Sequence, residues 1–217
     1  MRLALNEAMK KIKEDVLRII NMGKESIYHA VKYILTGDES SLEKINKLEV
    51  DSDILNLDIQ DYCLATMIRQ QPAARDMRFI SSMMYISSFF ERICDLSQEI
   101  IEQKVAKLSG DLKDVETSIM WMSQKVISMI DLISDSIRDG VIDELKDKLE
   151  AYDNEVDSLF NDAREKIKNF LKQCKGDVDN GIKLLYIIRF LERIGDIVAK
   201  TGARLIYIEE GKHVLIK

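Results

Sequence analysis

Apolar residues recur along most of this chain at spacings of three, four and seven, the period of a helix that buries one face. The pattern starts almost at the first residue and breaks at "TGDESS" (36–41), where Asp38 and Ser40 are candidate caps for the next helix. From Leu42 to about Arg69 the apolar face is carried by Leu42, Ile45, Leu48, Leu55, Ile59, Tyr62 and Cys63. The sole proline, in "QQPAARD" (70–76), marks a break, and a third helix is predicted from about Asp76 to Lys104. "KLSGDLKDVE" (107–116) is the candidate boundary. Beyond it the cycle repeats: a helix to about Arg138, a turn at "RDGVID" and a helix from about Asp143 to Lys172. A turn at "CKGDVDNG" (174–181) leads to a last helix reaching about Glu210. At 1.5 Å per residue, helices of roughly 25 to 30 residues span about 40 Å each. The expected fold is all-α, two three-helix units in tandem over residues 1–107 and 108–217.

Composition sharpens this picture more than it changes it. Of 217 residues, 46% are hydrophobic, enough for a core, and one proline with nine glycines leaves little to interrupt long helices. The net charge of −6 and the lack of any dense Lys/Arg cluster argue against nucleic acid as a partner. "KKIKED" (10–15) reads as a solvated helix face. Cys63, Cys94 and Cys174 are an odd number and far apart, which speaks against a disulfide framework and for a reducing compartment. The N-terminus has no signal-peptide core, and "FISSMMYISSFF" (79–90) is too short and serine-rich to span a bilayer. A cytoplasmic location is expected.

The repeat is one of sequence as well as of helix pattern. "EVDSDILNLDIQD" (49–61) lies over "DNEVDSLFNDARE" (153–165), with acids coinciding at Glu49/Asp153, Asp51/Glu155, Asp53/Asp157, Asp58/Asp162 and Asp61/Glu165. "FERICDLSQEI" (90–100) likewise matches "LERIGDIVAKT" (191–201). An internal duplication explains both. Because residues four apart share a helix face, Glu49/Asp53, Glu91/Asp95, Asp153/Asp157 and Glu192/Asp196 each present two carboxylates together. Two such helices side by side would gather four carboxylates per half, an oxygen donor set for a metal. The plainer reading of any single pair is a solvated face, with Arg92 and Arg193 as surface partners. It is the matching of pairs in both halves that favours the metal.

Other chemistries lack residues. The pair of Glu-x-x-His motifs on facing helices that di-iron bundles need is missing around His29 and His213, no glycine-rich phosphate loop occurs, and no nucleophile pairs with a base. "DSDILNLDIQD" lacks the central glycine of a calcium loop. The expectation is therefore a protein that is not an enzyme. Cys94, Ser81, Ser82, Ser87 and Ser88 read as small residues at helix crossings, and the tail "RLIYIEEGKHVLIK" as a helix end with a short extension.

With these residues in hand, the sequence resembles the PhoU family of phosphate-transport regulators. The duplicated Glu-Arg-Ile-Gly-Asp signature is matched at 192–196, and at 91–95 with Cys94 in place of glycine. The Gln-Pro-x-x-x-Asp-Leu-Arg element appears as "QPAARDMR" (71–78), where Met77 replaces leucine and Arg75 a usually small residue. The Glu/Asp-x-x-x-Asp of the middle helices appears as Glu49/Asp53 and Asp153/Asp157; Ser52 departs from a usually aliphatic position that Val156 keeps. The resemblance implies two antiparallel three-helix bundles related by a pseudo-twofold axis. It also implies multinuclear clusters of iron or another metal held by the acidic motifs; the oxygen donors suit iron, manganese or magnesium better than zinc. The implied role is an adaptor between the ATPase subunit of a phosphate ABC transporter and a phosphate-sensing histidine kinase, repressing starvation genes or restraining uptake. A second copy of the chain is a further candidate partner. The rival reading is a metal-storage or metal-dependent phosphate-handling protein built on the same eight carboxylates.

Overall fold

The computed structural model describes residues 2–105, 112–141, 143–172 and 178–216. The described residues form α1 (Arg2–Thr36), α2 (Glu39–Gln70), α3 (Ala74–Glu102), α4 (Lys113–Asp139), α5 (Leu145–Lys172) and α6 (Val178–Glu210). Residues 107–111 of the candidate boundary and Cys174 fall outside them.

Local chemistry sets the helix ends. Gly37, at a φ of +71°, ends α1, and Asp38 caps α2 by accepting from the Ser40 N–H at 3.1 Å. Gln71, left-handed at a φ of 44°, closes α2 with its N–H on the Met67 carbonyl, and Pro72 follows at once. Helix α3 starts two residues before the expected Asp76. Helix α6 starts at Val178, inside the stretch expected to be a turn.

Helices α1, α2 and α3 pack on one another, and so do α4, α5 and α6. The short connections between packed neighbours make each bundle antiparallel. Between the halves, α1 meets α4 and α3 meets α6, equivalent helices against equivalent helices, as a pseudo-twofold axis requires. This leaves α2 and α5 on the two flanks. One apolar core runs through both halves, dominated by isoleucine from α1, α3, α4 and α6.

The junction is reinforced by the Gln-Pro element. Arg78 donates from Nε and Nη2 to the Ile208 carbonyl at 3.1 and 3.0 Å, satisfying an acceptor left open at the end of α6. Arg75 makes a bidentate pair with Glu209 at 3.1 and 2.5 Å. The residue that departs from the family pattern thus clamps the start of α3 to the end of α6. Lys24 reaches Asp131 at 2.5 Å across the α1–α4 contact. After α6 the chain turns back at Gly211 (φ +71°), His213 stacks on Tyr207, and Val214 and Ile216 pack against the core.

Candidate metal centre

Helices α2 and α3 pack against each other, and so do α5 and α6. That contact brings the paired acids of one helix to those of the next. In the first half, ligand atoms of Glu49, Asp53 and Asp95 all lie within 4.8 Å of one another. Glu91 stands outside that trio but within its field. Burial pushes its carboxyl up, and the charges of Asp95, Asp53 and Glu49 push it further, while Arg92 opposes them. The Glu49 carboxyl is raised too, by burial and then by Asp53 and Asp95.

The second half repeats the arrangement more deeply. Asp153 is buried, at 7% exposure, and its carboxyl is pushed up to about 6 by burial and by the charges of Asp157 and Asp196. The Glu192 carboxyl is also raised, chiefly by burial, with Asp196 and Asp157 adding to it against Arg189. Its Oε2 is buried without a hydrogen-bond partner. Among the described residues no three acids of this half converge as closely as Glu49, Asp53 and Asp95 do. Electrostatic coupling thus links the eight predicted carboxylates in two groups of four, with Glu49, Asp53 and Asp95 convergent in the first and no such trio among the described residues of the second.

The arginines of the repeated motif behave differently in its two copies. Arg92 bridges Asp95 at 3.0 Å and Glu99 at 3.1 Å on its own helix. The position matching Glu99 is Lys200, so Arg193 has no acid to reach there, and it lies exposed. Lys200 instead eases the negative field at Asp153. Glu192 is braced by Arg189, at 2.5 Å, where the first half has Ser88. Glu99, Arg189 and Lys200 were not legible from the duplicated motif, because they are the places where the copies disagree.

Two other departures prove to be one. Cys94 is fully buried beneath the first group, its thiol held by Ser26 Oγ at 3.5 Å and by Ser52 and pushed up to about 11, chiefly by burial. It is a neutral packing group. In the second half a Cβ placed on Gly195 would meet Val156 Cγ1 at 3.6 Å, Asp153 Oδ1 at 3.7 Å and Val126 Cγ2 at 3.7 Å. Small-over-large in the first copy (Ser52 over Cys94) has become large-over-small in the second (Val156 over Gly195). The serines of α3 also do more than permit close approach. Ser87 donates to Asn56 Oδ1 at 2.8 Å, and Gln60 joins Ser88 at 3.1 Å, tying α2 to α3 beside the acids.

Like charges so arranged repel, and among the described residues Arg92, Arg189 and Lys200 answer them. Among the described residues of the site no nucleophile stands beside a base. What it offers is a surface of oxygen donors in want of positive charge.

Comparison with known proteins supplies the rest. The PhoU domain model matches residues 16–103 and again 119–204. A PhoU homolog of the phosphate-specific transport system from Archaeoglobus fulgidus is 29% identical over 216 residues, covering 98% of each chain. The crystal structure of PhoU from Pseudomonas aeruginosa superposes with a TM-score of 0.85 at 19% identity, covering 95% of this chain and 99% of that one. That of the regulatory protein PhoU from Streptococcus pneumoniae gives 0.83 at 21%, covering 97% and 99%. At such identities the two structures speak for the fold.

Proposed function

The chain belongs to the PhoU family of accessory, regulatory proteins of phosphate transport, which are not enzymes, and from this premise we propose that it acts as a metal-binding adaptor. Its partners in this reading are the ATPase subunit of a phosphate ABC transporter and, where the cell has one, a phosphate-sensing histidine kinase, met on the cytoplasmic side. No described helix is long and apolar enough to cross a membrane.

The observation that carries the metal is the pair of four-carboxylate groups with too little positive charge. Glu49, Asp53, Glu91 and Asp95 would hold one cluster, and Asp153, Asp157, Glu192 and Asp196 the other. The residues fit such a group: the donors are all oxygen, Glu192 Oε2 is buried and unpartnered, and three carboxylates converge in the first half. Iron, manganese and magnesium suit these donors. Bound metal would neutralise the carboxylates and offer its remaining positions to inorganic phosphate or to an acidic group of a partner. The chain's own part is to hold the acids at fixed spacing on two packed helices and, through Arg92 and Arg189, to orient Asp95 and Glu192.

Elemental analysis of protein purified without chelator or metal-binding tag is the first test. Retained metal is expected, falling by about half when Asp53→Asn and Asp95→Asn remove one group; a wild-type protein that neither retains nor rebinds metal sinks the metal reading. Co-purification with the transporter ATPase and the kinase, with and without phosphate, tests the adaptor. No binding to either overturns it. Turnover on phosphate esters, or ions far in excess of two clusters, would favour the storage or phosphate-handling reading instead.

A further inference from the structure

Helix α2 carries a second apolar stripe that the core does not use. Val50, Ile54, Leu57, Leu64 and Ile68 face outward, with exposures from 47% for Leu64 to 75% for Ile68. Together with Asp61 they fall at spacings of four, three, four, three and four, the a/d seam of a coiled coil sustained over about five turns. Helices of a soluble bundle ordinarily show one apolar face, and α2 shows two.

The duplication supplies a control within the same molecule. In the register that aligns the acids, the corresponding positions of α5 are Asn154, Ser158, Asn161, Glu165, Lys168 and Lys172, every one polar and exposed. The fold therefore needs no apolar residue on this face. Only the first copy has one.

We propose that the outer face of α2 is a docking seam for an amphipathic helix of a partner protein, one with Leu/Ile at its own a and d positions and Lys or Arg on its flanks. Charge selects this occupant. Asp51 and Asp58 border the seam, Asp61 lies in it, and all three are exposed. The cations nearest the seam are engaged elsewhere: Lys11 by Asp15 at 2.6 Å and over the Tyr62 ring, Arg18 by Asp15 at 3.1 Å, and Arg138 by Asp135 at 3.3 Å. A second copy of α2 is a poor occupant. Parallel pairing sets Asp61 against Asp61. The antiparallel register that matches Val50 with Ile68 and Ile54 with Leu64 brings Asp58 and Asp61 of both copies to the dyad. An anionic bilayer is repelled by the same acids. A cationic helix satisfies the apolar stripe and the carboxylates together.

This adds a surface to the adaptor reading without requiring it: Val50 and Ile54 adjoin Glu49 and Asp53 in sequence, but no residue of the seam belongs to either carboxylate group. The test uses the full chain and two synthetic helical peptides of about three heptads, both with Leu/Ile at a and d, one with Lys and the other with Glu at e and g. Fluorescence anisotropy should show the Lys peptide binding and the Glu peptide failing to bind. Val50→Asn, Ile54→Ser and Leu57→Asn together give α2 the residues of α5. They should weaken Lys-peptide binding at least about tenfold while leaving the melting temperature unchanged. Asp58→Lys with Asp61→Lys should reverse the preference between the peptides. No Lys-peptide binding, binding indifferent to the three exchanges, or a marked loss of stability from them overturns the proposal. So does seam-dependent self-association in sedimentation velocity, or seam-dependent binding to phosphatidylglycerol vesicles. Failure of the transporter co-purification alone leaves the seam standing and removes only the adaptor.

Discussion

At Cys94 and Ser52 two sequence departures that look unrelated share one packing volume. Cys94→Gly leaves a hole over a serine, and Ser52→Val crowds a buried thiol, so each alone should destabilise the protein. Made together they recreate the Val156–Gly195 arrangement of the second half. A double-mutant cycle read by urea unfolding should return a favourable coupling of roughly 0.5–3 kcal/mol. Strict additivity would mean that the two departures are independent. Asp153 gives the second prediction at this scale. Its carboxyl titrates at about 6 in the folded chain, against about 3.9 unfolded. A raised carboxyl pKa stabilises the fold fully below the unfolded value, and that contribution is lost as pH rises through the folded one. Chelator-treated protein should therefore melt higher at pH 5 than at pH 7, and Glu49, Glu91 and Glu192 shift in the same direction. Asp153→Asn should raise metal-free stability at pH 7 by about 2 kcal/mol and flatten the pH profile. An unchanged profile in that variant would assign the pH dependence elsewhere.

Among the elements, helix existence was legible and helix ends less so. The 3.6-residue period runs through all six helices, because each must bury a stripe against two or three neighbours. The start of α3 was placed two residues late. What sets it is Ala73 in an extended conformation followed by Ala74 at a φ of 48°, a backbone event that periodicity does not register. The carboxylate pairs were legible for a simple reason: four residues apart is one helical turn, whatever the helix packs on. The second stripe of α2 was hidden because its apolar residues alternate with buried ones and blur the pattern; comparing α2 with α5 position by position reveals it. Arg78 makes the element-scale prediction. Arg78→Ala leaves the Ile208 carbonyl without its donor and unties the start of α3 from the end of α6. A loss of about 1–3 kcal/mol is expected, read by thermal or urea unfolding. No loss would mean that Arg75 with Glu209 holds the junction alone.

For the molecule as a whole, the decisive feature is that the apolar core does not stop between the halves. Ile27 and Phe90 of the first half belong to the same cluster as Ile130 and Ile194 of the second. Shared burial of this kind couples two repeats, so calorimetry should show one cooperative transition in which calorimetric and van't Hoff enthalpies agree. Two resolved transitions would mean that the bundles fold as separate domains.

The residues alone determine six amphipathic helices, the duplication, and four carboxylate pairs each on one helix face, because all of these follow from order and period along the chain. Which carboxylates meet across helices was decided by packing. So were the burial that raises Asp153, the clamp of Arg75 on Glu209 and the pairing of Ser52 with Cys94. Each of these depends on which faces of two helices come together, and helical period says which face a residue occupies but not what lies opposite it.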